Sequence, residues 1–273
     1  MTRQELFACI QARQSFLCIG LDTDLSRIPQ HLRTTDDPIF EFNRQIIDAT
    51  RDLCVAYKPN LAFYEVLGTA GWQALEKTIR YIGKEHFIIA DAKRGDIGNT
   101  SRLYAEAFFT QLAADAVTVA PYMGEDSVQP FLGFPGKWVI LLALTSNAGS
   151  QDFQLLPQAS GQPLYEAVMR GAMRWSTPDT LMFVIGATHP ERFREIRVIA
   201  PEHFFLVPGV GAQGGDLAAI SQYGLNAQCG LLVNASRSII YAGDGENFAA
   251  RARAEALAMQ KEMAILLQKY QLL

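Results

Sequence analysis

The feature that most constrains the fold is an alternation of strand-like and helix-like segments along the whole chain. Eight short runs, most of them near-continuously apolar, have the composition of parallel strands buried on both faces. These predicted strands are Phe16–Leu21, Leu53–Lys58, Phe87–Lys93, Ala116–Ala120, Trp138–Leu144, Leu181–Ala187, Phe204–Val207 and Gly230–Asn234. The count of eight, with polar residues after nearly every strand, favours an α/β fold of the (β/α)8 TIM-barrel type over an open doubly wound sheet.

Amphipathic patterns between these runs predict helices. After a short N-terminal helix, the predicted segments are Pro38–Asp52, Tyr64–Lys84, Thr100–Ala114, Pro163–Trp175, Pro190–Ile199, Gly215–Tyr223 and Glu246–Tyr270. No linker or low-complexity segment interrupts the chain, so we predict that residues 1–273 form one single-domain barrel. The longest connection, residues 145–162, is a candidate lid or active-site loop.

Composition and charge argue against several classes of function. The 24 Lys and Arg residues against 28 Asp and Glu give a net charge of −4, and no basic run alternates with aromatic residues, so no nucleic-acid partner is expected. The longest uncharged apolar run, Trp138–Leu144, is far shorter than the ~20 residues that cross a membrane. The four cysteines lack metal-ligand or CxxC spacing, which predicts reduced thiols in a cytoplasmic protein.

Charged residues end the third predicted strand, in the stretch IIADAKRGDIGNTS at residues 88–101. The period of two along a strand places Asp91 and Lys93 on the same side, and Asp96 follows after a turn. Charges at the end of a buried strand are costly to desolvate unless they pair with one another. A structural ion-pair cluster is the alternative, but this stretch indicates chemistry more strongly than any other in the chain.

Further polar residues follow the other predicted strands. In a barrel, the carboxyl ends of the strands form the active-site face, so Asp22, Lys58, Asp91, Lys93 and Arg237 are expected to converge there. Taken singly, Asp22 and Lys58 could each be solvated residues. The Thr-Ser-Asn sequence at residues 145–147 follows the fifth strand and could equally cap a turn.

The connections after the seventh and eighth strands indicate a phosphate site. Four glycines within Gly209–Gly215 allow backbone N–H groups to approach an anion, and a predicted helix follows with its N-terminal dipole. Arg237 can add a bidentate guanidinium contact. Many (β/α)8 barrels bind phosphate with this pair of loops.

At these residues the chain resembles the orotidine 5′-phosphate decarboxylase family. The matching features occur in order over residues 20–239: Gly20-Leu-Asp22, Tyr57-Lys58-Pro-Asn60, Asp91-Ala-Lys93-Arg-Gly-Asp96-Ile97-Gly, Pro208-Gly-Val-Gly-Ala-Gln213-Gly-Gly and Asn234-Ala-Ser-Arg237-Ser-Ile. The Asp-x-Lys-x-x-Asp core is shared by a wider group of phosphate-binding barrels. The Lys-Arg-Gly-Asp-Ile extension and the Gly-Val-Gly-Ala-Gln loop are more specific, and the long fifth connection is similar to the longer bacterial branch.

The resemblance implies conversion of orotidine 5′-phosphate (OMP) to UMP and CO2, the last step of de novo pyrimidine synthesis, with no metal and no organic cofactor. Lys93 would protonate C6 as the carboxylate leaves, and Asp91 would sit beside that carboxylate. Lys58, Asp91, Lys93 and Asp96 would form an alternating charged array. A fixed ammonium group stabilises a developing negative charge more strongly in a water-excluded site than in bulk water.

The resemblance also implies a homodimer with a shared active site. Asp96, Ile97 and Thr100 are expected to enter the neighbouring subunit's site. The substrate contacts that it implies divide among ribose, pyrimidine and phosphate: Asp22, Lys58, Asp96 and Thr100 for the ribose hydroxyls, Ser146 for the pyrimidine amide edge, and Gln213 and Arg237 for the phosphate.

Two alternatives stay open. The first is a Mg²⁺-dependent sugar-phosphate decarboxylase or aldol-type synthase of the same wider group, which would need carboxylates free to bind metal, whereas Asp91 and Asp96 are expected to pair with Lys58 and Lys93. The second is a non-catalytic barrel that binds UMP. The charged array argues against it, because UMP has no carboxylate for that array to act on.

Overall fold

Eight parallel strands close into a barrel in sequence order. In this computed structural model, which describes residues 1–188, 190–210 and 215–273, each strand pairs with the next, and β8 pairs with β1. The strands are β1 Leu17–Leu21, β2 Ala56–Pro59, β3 Phe87–Arg94, β4 Ala116–Val119, β5 Trp138–Leu144, β6 Leu181–Ile185, β7 Phe204–Pro208 and β8 Leu231–Ala235. The predicted barrel is confirmed, and the open doubly wound alternative is wrong.

Helices cover the outside of the barrel. In chain order they are α1 Arg3–Arg13, α2 Pro38–Thr50, α3 Ala62–Glu65, α4 Gly68–Ile82, α5 Gly98–Glu106, α6 Glu125–Leu132, α7 Ser150–Phe153, α8 Leu164–Trp175, α9 Arg192–Ile199, α10 Leu217–Gly224, α11 Arg237–Ile240 and α12 Phe248–Lys269. A 3-10 turn lies at Gln30–Leu32, and a π-helical turn at Ala107–Gln111 extends α5. Among the described residues, no helix combines the length and apolar character that crossing a bilayer requires.

The strands are apolar because both of their faces are covered. Nearly every strand residue is buried, as is usual for an all-parallel sheet between an interior core and an outer layer of helices. At the amino ends of the strands, the Trp138 ring packs edge-on against Phe87 and Phe204, with centroids 6.0 and 6.5 Å apart. The Trp138 indole also donates to the carbonyl of Met1 at 2.9 Å. Aromatic packing and the N-terminal segment therefore close this end of the barrel.

Two predicted helices are divided in the structure. The segment predicted over Tyr64–Lys84 contains the end of α3 and all of α4, with Val66 and Leu67 between them. Helix α4 begins at Gly68, whose φ of +61° is a left-handed conformation that favours glycine. The segment predicted over Thr100–Ala114 changes from α to π geometry at Ala107. Helix α6 was not predicted, since it contains Pro130, which normally interrupts a helical pattern.

The long connection at residues 145–162 contains the short helix α7. At its start, Gln154 Oε1 accepts from the Thr145 N–H at 2.8 Å, and Gln154 Nε2 donates to the Thr145 hydroxyl at 2.9 Å. A backbone bond from Leu164 N–H to the carbonyl of Leu156, at 2.9 Å, joins the far side of the connection to α8. The segment is hydrogen-bonded at both ends, and its role as a lid stays a prediction.

Candidate active site

Polar side chains from several strands meet at the carboxyl end of the barrel. Because all the strands run parallel, their carboxyl ends share one rim, which is the active-site face of this fold. The predicted site residues that line the cavities of this rim are Asp22, Lys58, Asp91, Lys93, Ser146 and Arg237. Two cavities, of about 510 and about 200 Å³, share Lys58, Asp91 and Pro208 in their walls. The rim therefore forms a two-lobed site centred on an ion pair.

Asp91 is held between two lysines. Its Oδ2 is 2.7 Å from Lys58 Nζ, and its Oδ1 is 2.6 Å from Lys93 Nζ. Lys58 and Asp91 are buried, whereas the Lys93 side chain is 51% exposed and lines the larger cavity. Lys58 is thus a fixed charge in the barrel wall, and Lys93 presents an ammonium group to the space that a ligand can enter.

The ion pair keeps both buried members charged. Burial alone would raise the pKa of the Asp91 carboxyl group, but the charges of Lys58 and Lys93 outweigh it and hold that pKa well below its ordinary value. For Lys58, burial acts to lower the pKa, and the carboxylates of Asp91 and Asp22 outweigh burial and raise it. At neutral pH the centre of the site is therefore an ion pair and not a neutral hydrogen-bonded pair.

Asp22 lies on the other side of Lys58. Its Oδ1 is 3.9 Å from Lys58 Nζ, and in the part of the chain that the structure describes this buried oxygen has no hydrogen-bond partner. The Tyr241 hydroxyl fixes the backbone here, because it donates to the Asp22 carbonyl at 2.9 Å and accepts from the Asp24 N–H at 2.7 Å. A fixed carboxylate with a free oxygen is suited to accept hydrogen bonds from ligand hydroxyl groups.

Lys93 reaches the site through a bulge in β3. Ala90 lies opposite Val117 and Arg94 lies opposite Val119, so residues 91–93 of β3 face one residue of β4. Lys93 has a φ of +47°, which is uncommon for any residue other than glycine. Bulges beside active sites redirect side chains. The expectation that Asp91 and Lys93 share a side is met, although by an irregular strand and not by simple alternation.

The remainder of the charged motif lies at the surface. Ile97 is 57% exposed, Thr100 is exposed, and Asp96 is partly exposed with its Oδ1 accepting from the Ile97 N–H at 2.8 Å. Within the described ranges, Asp96 forms no ion pair with Lys58 or Lys93 of the same chain. The part of the array that includes Asp96 is therefore not assembled within one chain.

Ser146 has a hydrogen-bonding group that faces the larger cavity. Its Oγ is buried, and no described residue provides a hydrogen-bond partner for it. Gly186, which follows β6, makes the room for this hydroxyl, because a Cβ at that position would collide with Ser146 Oγ. A buried hydroxyl without a partner is costly, so a ligand is the natural partner for Ser146.

The predicted phosphate-binding residues are described only in part. Gln213 lies outside the described residues, whereas Arg237 is exposed and lines the smaller cavity. Asp216 caps α10 by accepting from the N–H groups of Ala218 and Ala219 at 2.9 and 3.1 Å. The helix expected after the glycine loop is present, but two amides of its first turn already bond a carboxylate of the chain.

The donor groups of the site differ from those of a metal centre. Across residues 1–188, 190–210 and 215–273, no cluster of three or more His, Cys, Asp or Glu side chains is placed to hold a metal ion. Each oxygen of Asp91 bonds a lysine ammonium group. Asp22 Oδ1 lies 3.9 Å from Lys58 Nζ, so both of these acidic groups face cations of the protein itself.

Several residues of the site were not predicted from the sequence. Leu142 and Val184 form apolar wall of the larger cavity, and Thr118 of β4 lies among them. Within the buried run Ala116–Val119, Thr118 is the only polar residue, which is a signal that the sequence offers. The contact of Tyr241 with the Asp22 carbonyl joins positions 219 residues apart, and no local pattern indicates it.

Comparison with known proteins connects this site to a family. Residues 15–252 match the family described as "Orotidine 5'-phosphate decarboxylase / HUMPS family". The orotidine 5′-phosphate decarboxylase of Parabacteroides distasonis is 61% identical over 267 residues, which cover 97% of this chain and 95% of that protein. The enzyme of the same name from Bacteroides fragilis is 58% identical over 97% of each protein.

Solved structures agree with the sequence comparison. The structure of Leishmania donovani OMP decarboxylase has a TM-score of 0.80 and 38% identity, covering 96% of this chain and all of that one. Orotidine 5′-monophosphate decarboxylase from Methanocaldococcus jannaschii, solved in complex with the inhibitor BMP, has a TM-score of 0.64 and 25% identity, covering 88% of this chain and 97% of that one. The matched portions span the barrel and its rim.

Proposed function

Because this chain belongs to the orotidine 5′-phosphate decarboxylase family and is a carboxy-lyase, we propose that it converts OMP to UMP and CO2 with Lys93 as the proton donor. The observation that carries this assignment is the Lys58–Asp91–Lys93 set of ion pairs at the rim of the barrel. Decarboxylation places a negative charge on a ring carbon, and a fixed cation beside that carbon stabilises the transition state.

The step balances in atoms and charge. The bond between C6 and the carboxylate carbon breaks, CO2 leaves, and the electron pair stays on C6. The Lys93 ammonium then gives a proton to C6, and the neutral amine regains a proton from water. Asp91 Oδ1 lies 2.6 Å from Lys93 Nζ and holds that group in place before the transfer.

Lys58 and Asp91 hold the proton donor in place. Lys58 is buried and bonds the other oxygen of Asp91, so the carboxylate cannot turn away from Lys93 without losing a buried ion pair. Asp91 would also lie beside the departing carboxylate of the substrate. Because these charges are fixed before the reaction, little reorganisation accompanies the chemical step.

The rim also offers groups suited to the rest of the nucleotide. Asp22 Oδ1 and Ser146 Oγ, which have no hydrogen-bond partner among the described residues, would bond the ribose hydroxyls and the pyrimidine amide edge respectively. Arg237, in the smaller lobe, would bind the phosphate, together with Gln213, whose assignment rests on the sequence motif. The inhibitor-bound M. jannaschii relative supports a ligand site in this fold.

The decisive experiment is a spectrophotometric OMP assay on the purified wild-type protein, with and without EDTA. We expect UMP formation that chelation does not change. Loss of activity with EDTA would favour the Mg²⁺-dependent alternative, in which acidic groups must be free to bind metal. Tight UMP binding without CO2 release would favour the non-catalytic alternative. Either result would contradict the proposed reaction.

A homodimer with shared active sites is the second part of the proposal. Asp96, Ile97 and Thr100 are exposed or partly exposed beside the rim, and within the described residues Asp96 pairs with neither Lys58 nor Lys93 of its own chain. They would complete the site of a second copy. Mixing inactive Asp96→Asn and Lys93→Ala proteins should then restore part of the activity, because each heterodimer carries one intact site. No recovery despite demonstrated subunit exchange would contradict this arrangement.

We place the protein in the cytoplasm. All four cysteines are free thiols, and Cys18, Cys54 and Cys229 are buried, which suits a reducing compartment. Cell fractionation followed by immunodetection would test this assignment, and recovery of the protein in another fraction would contradict it.

A further inference from the structure

Thr118 occupies the point where the bulge of β3 meets β4. The side chain is 1% exposed and lies opposite residues 91–93, the segment that carries Asp91 and Lys93. It also forms part of the wall of the larger cavity. A buried hydroxyl at this position needs hydrogen-bond partners, and Lys93 and Asp91 provide them.

One hydroxyl joins the two halves of the ion pair. Thr118 Oγ1 accepts from the Lys93 backbone N–H at 2.8 Å and donates to Asp91 Oδ1 at 3.1 Å. The same Asp91 oxygen accepts from Lys93 Nζ at 2.6 Å. The three residues thus form a closed ring in which Lys93 is held at its backbone and at its ammonium group.

The Thr118 hydroxyl accepts a hydrogen bond from a backbone N–H that has no partner in the β3–β4 pairing, because the bulge interrupts that pairing. Regular pairing between β3 and β4 ends at Ala90 and resumes where the Ala120 N–H donates to the Arg94 carbonyl at 2.8 Å. Between these points, Lys93 has a left-handed backbone conformation, and its N–H donates to the Thr118 hydroxyl. The branched threonine side chain has few rotamers, so it holds this strained residue in one orientation.

We propose that Thr118 is a positioning residue that sets the orientation of the Lys93 ammonium group for proton transfer. The inference rests on the proposed function, in which Lys93 protonates the substrate. Thr118 acts through Lys93 and Asp91, because its hydroxyl group forms hydrogen bonds with these two residues. Without the hydroxyl, the ion pair between Asp91 and Lys93 remains, but the backbone of Lys93 is free to relax.

The test compares Thr118→Val, which removes the hydroxyl, with Thr118→Ser, which keeps it. We expect Thr118→Val to lower kcat for OMP about 100-fold, because a small misplacement of a reacting group has effects of this size. The KM for OMP and the Kd for UMP should change less than about threefold, since substrate binding does not depend on Lys93 orientation. Thr118→Ser should recover most of the lost kcat.

Thr50→Val is the matched control. Thr50 is a buried threonine on α2, and its hydroxyl bonds the Ile46 carbonyl at 2.7 Å and lies 2.8 Å from the Tyr57 hydroxyl, outside the site. This variant should lose thermal stability and keep its kcat. If Thr50→Val lost kcat as Thr118→Val does, the effect would be one of general destabilisation and the proposal would be overturned.

The Thr118 variants themselves can also contradict the proposal. An unchanged kcat in Thr118→Val, a rise in KM alone, or a folded Thr118→Ser protein without recovery would each overturn the positioning role. A wild-type protein that does not decarboxylate OMP would instead overturn the proposed function, so the two failures are distinguishable.

Discussion

Strand β3 begins with the buried ring of Phe87 and carries the half-exposed ammonium group of Lys93 near its other end, and the two ends of the barrel differ in the same way. At the amino end, which we call the floor, Trp138 packs against Phe87 and Phe204 and bonds the Met1 carbonyl. At the carboxyl rim, two cavities are surrounded by fixed charges and by polar atoms that have no hydrogen-bond partner in the described part of the chain. The floor is thus built for stability and the rim for ligand chemistry.

The largest expected effect separates two aspartates, one at each end, of which Asp91 is buried and Asp115 is partly buried. Asp91→Ala removes the carboxylate between two lysines and should lower kcat about 10³-fold, the effect of losing one preorganised charge contact. Asp115 at the floor pairs with the Met1 ammonium at 2.9 Å, so Asp115→Ala should lower stability and leave kcat unchanged. Steady-state kinetics and thermal unfolding of both variants check this. Equal losses of kcat in the two variants would contradict the division of roles between the rim and the floor.

A second prediction concerns the aromatic floor. Trp138→Ala should lower the free energy of unfolding by roughly 3–5 kcal/mol, because it leaves a cavity in a close-packed layer. The kcat of the folded protein should not change. Trp72 on α4 is 38% exposed and provides the control, since Trp72→Ala should cost much less in urea unfolding. A Trp138 variant that folds stably but turns over slowly would contradict the division between the two ends.

The phosphate lobe should show a smaller effect, on binding. Arg237→Ala should raise the KM for OMP by roughly 10- to 100-fold, because a charge-assisted hydrogen bond contributes about 1.5–3 kcal/mol. Arg170→Ala is the control, since Arg170 faces Glu166 on the outer helix α8, at 3.7 Å. An unchanged KM in the Arg237 variant, measured with OMP over a wide concentration range, would remove Arg237 from the phosphate site.

The smallest expected effect is a pH dependence of the free energy of unfolding, which should come from the floor and not from the rim. At the floor, burial lowers the pKa of His86 and of His203 to about 4, with Arg3 and Arg197 adding to the effect at His203. The unfolded chain binds these protons near pH 6.5, so acidification from pH 7 to 5 should lower stability by about 1–2 kcal/mol per histidine. The Asp91 contribution, from a lowered pKa, is complete above pH 4 and does not change in that window.

Urea unfolding at pH 7 and pH 5 measures this loss. His203→Leu should show a smaller difference between the two pH values than the wild type, because one proton-binding group is removed from the unfolded chain. A difference as large as that of the wild type would assign the pH dependence to other groups.

Much of the barrel could be predicted because its strands are uniformly apolar. The sequence locates β5 to the residue, since Trp138–Leu144 is one uninterrupted hydrophobic run. Helix boundaries were less predictable where a single residue changes the local geometry. The break between α3 and α4 ends at Gly68, where the backbone is left-handed. Helix α6 forms in spite of Pro130, and its formation depends on packing that no local pattern shows.

The charged residues of the site could also be predicted, but not their geometry. Asp91 and Lys93 stand out as charges at the end of a buried strand, and their ion pair is present. The bulge at Lys93 depends on the register between two strands, and therefore so does the contact with Thr118. The position of Asp96 away from both lysines likewise depends on the turn after β3.

The central claim is that the rim performs chemistry through Lys93, and its most direct test measures two quantities on Lys93→Ala. Turnover of OMP should fall by several orders of magnitude, because the proton donor is gone. The Kd for UMP, measured by calorimetry, should stay close to that of the wild type, because the cavity walls and Arg237 are intact. Near-normal turnover in the variant would contradict the account.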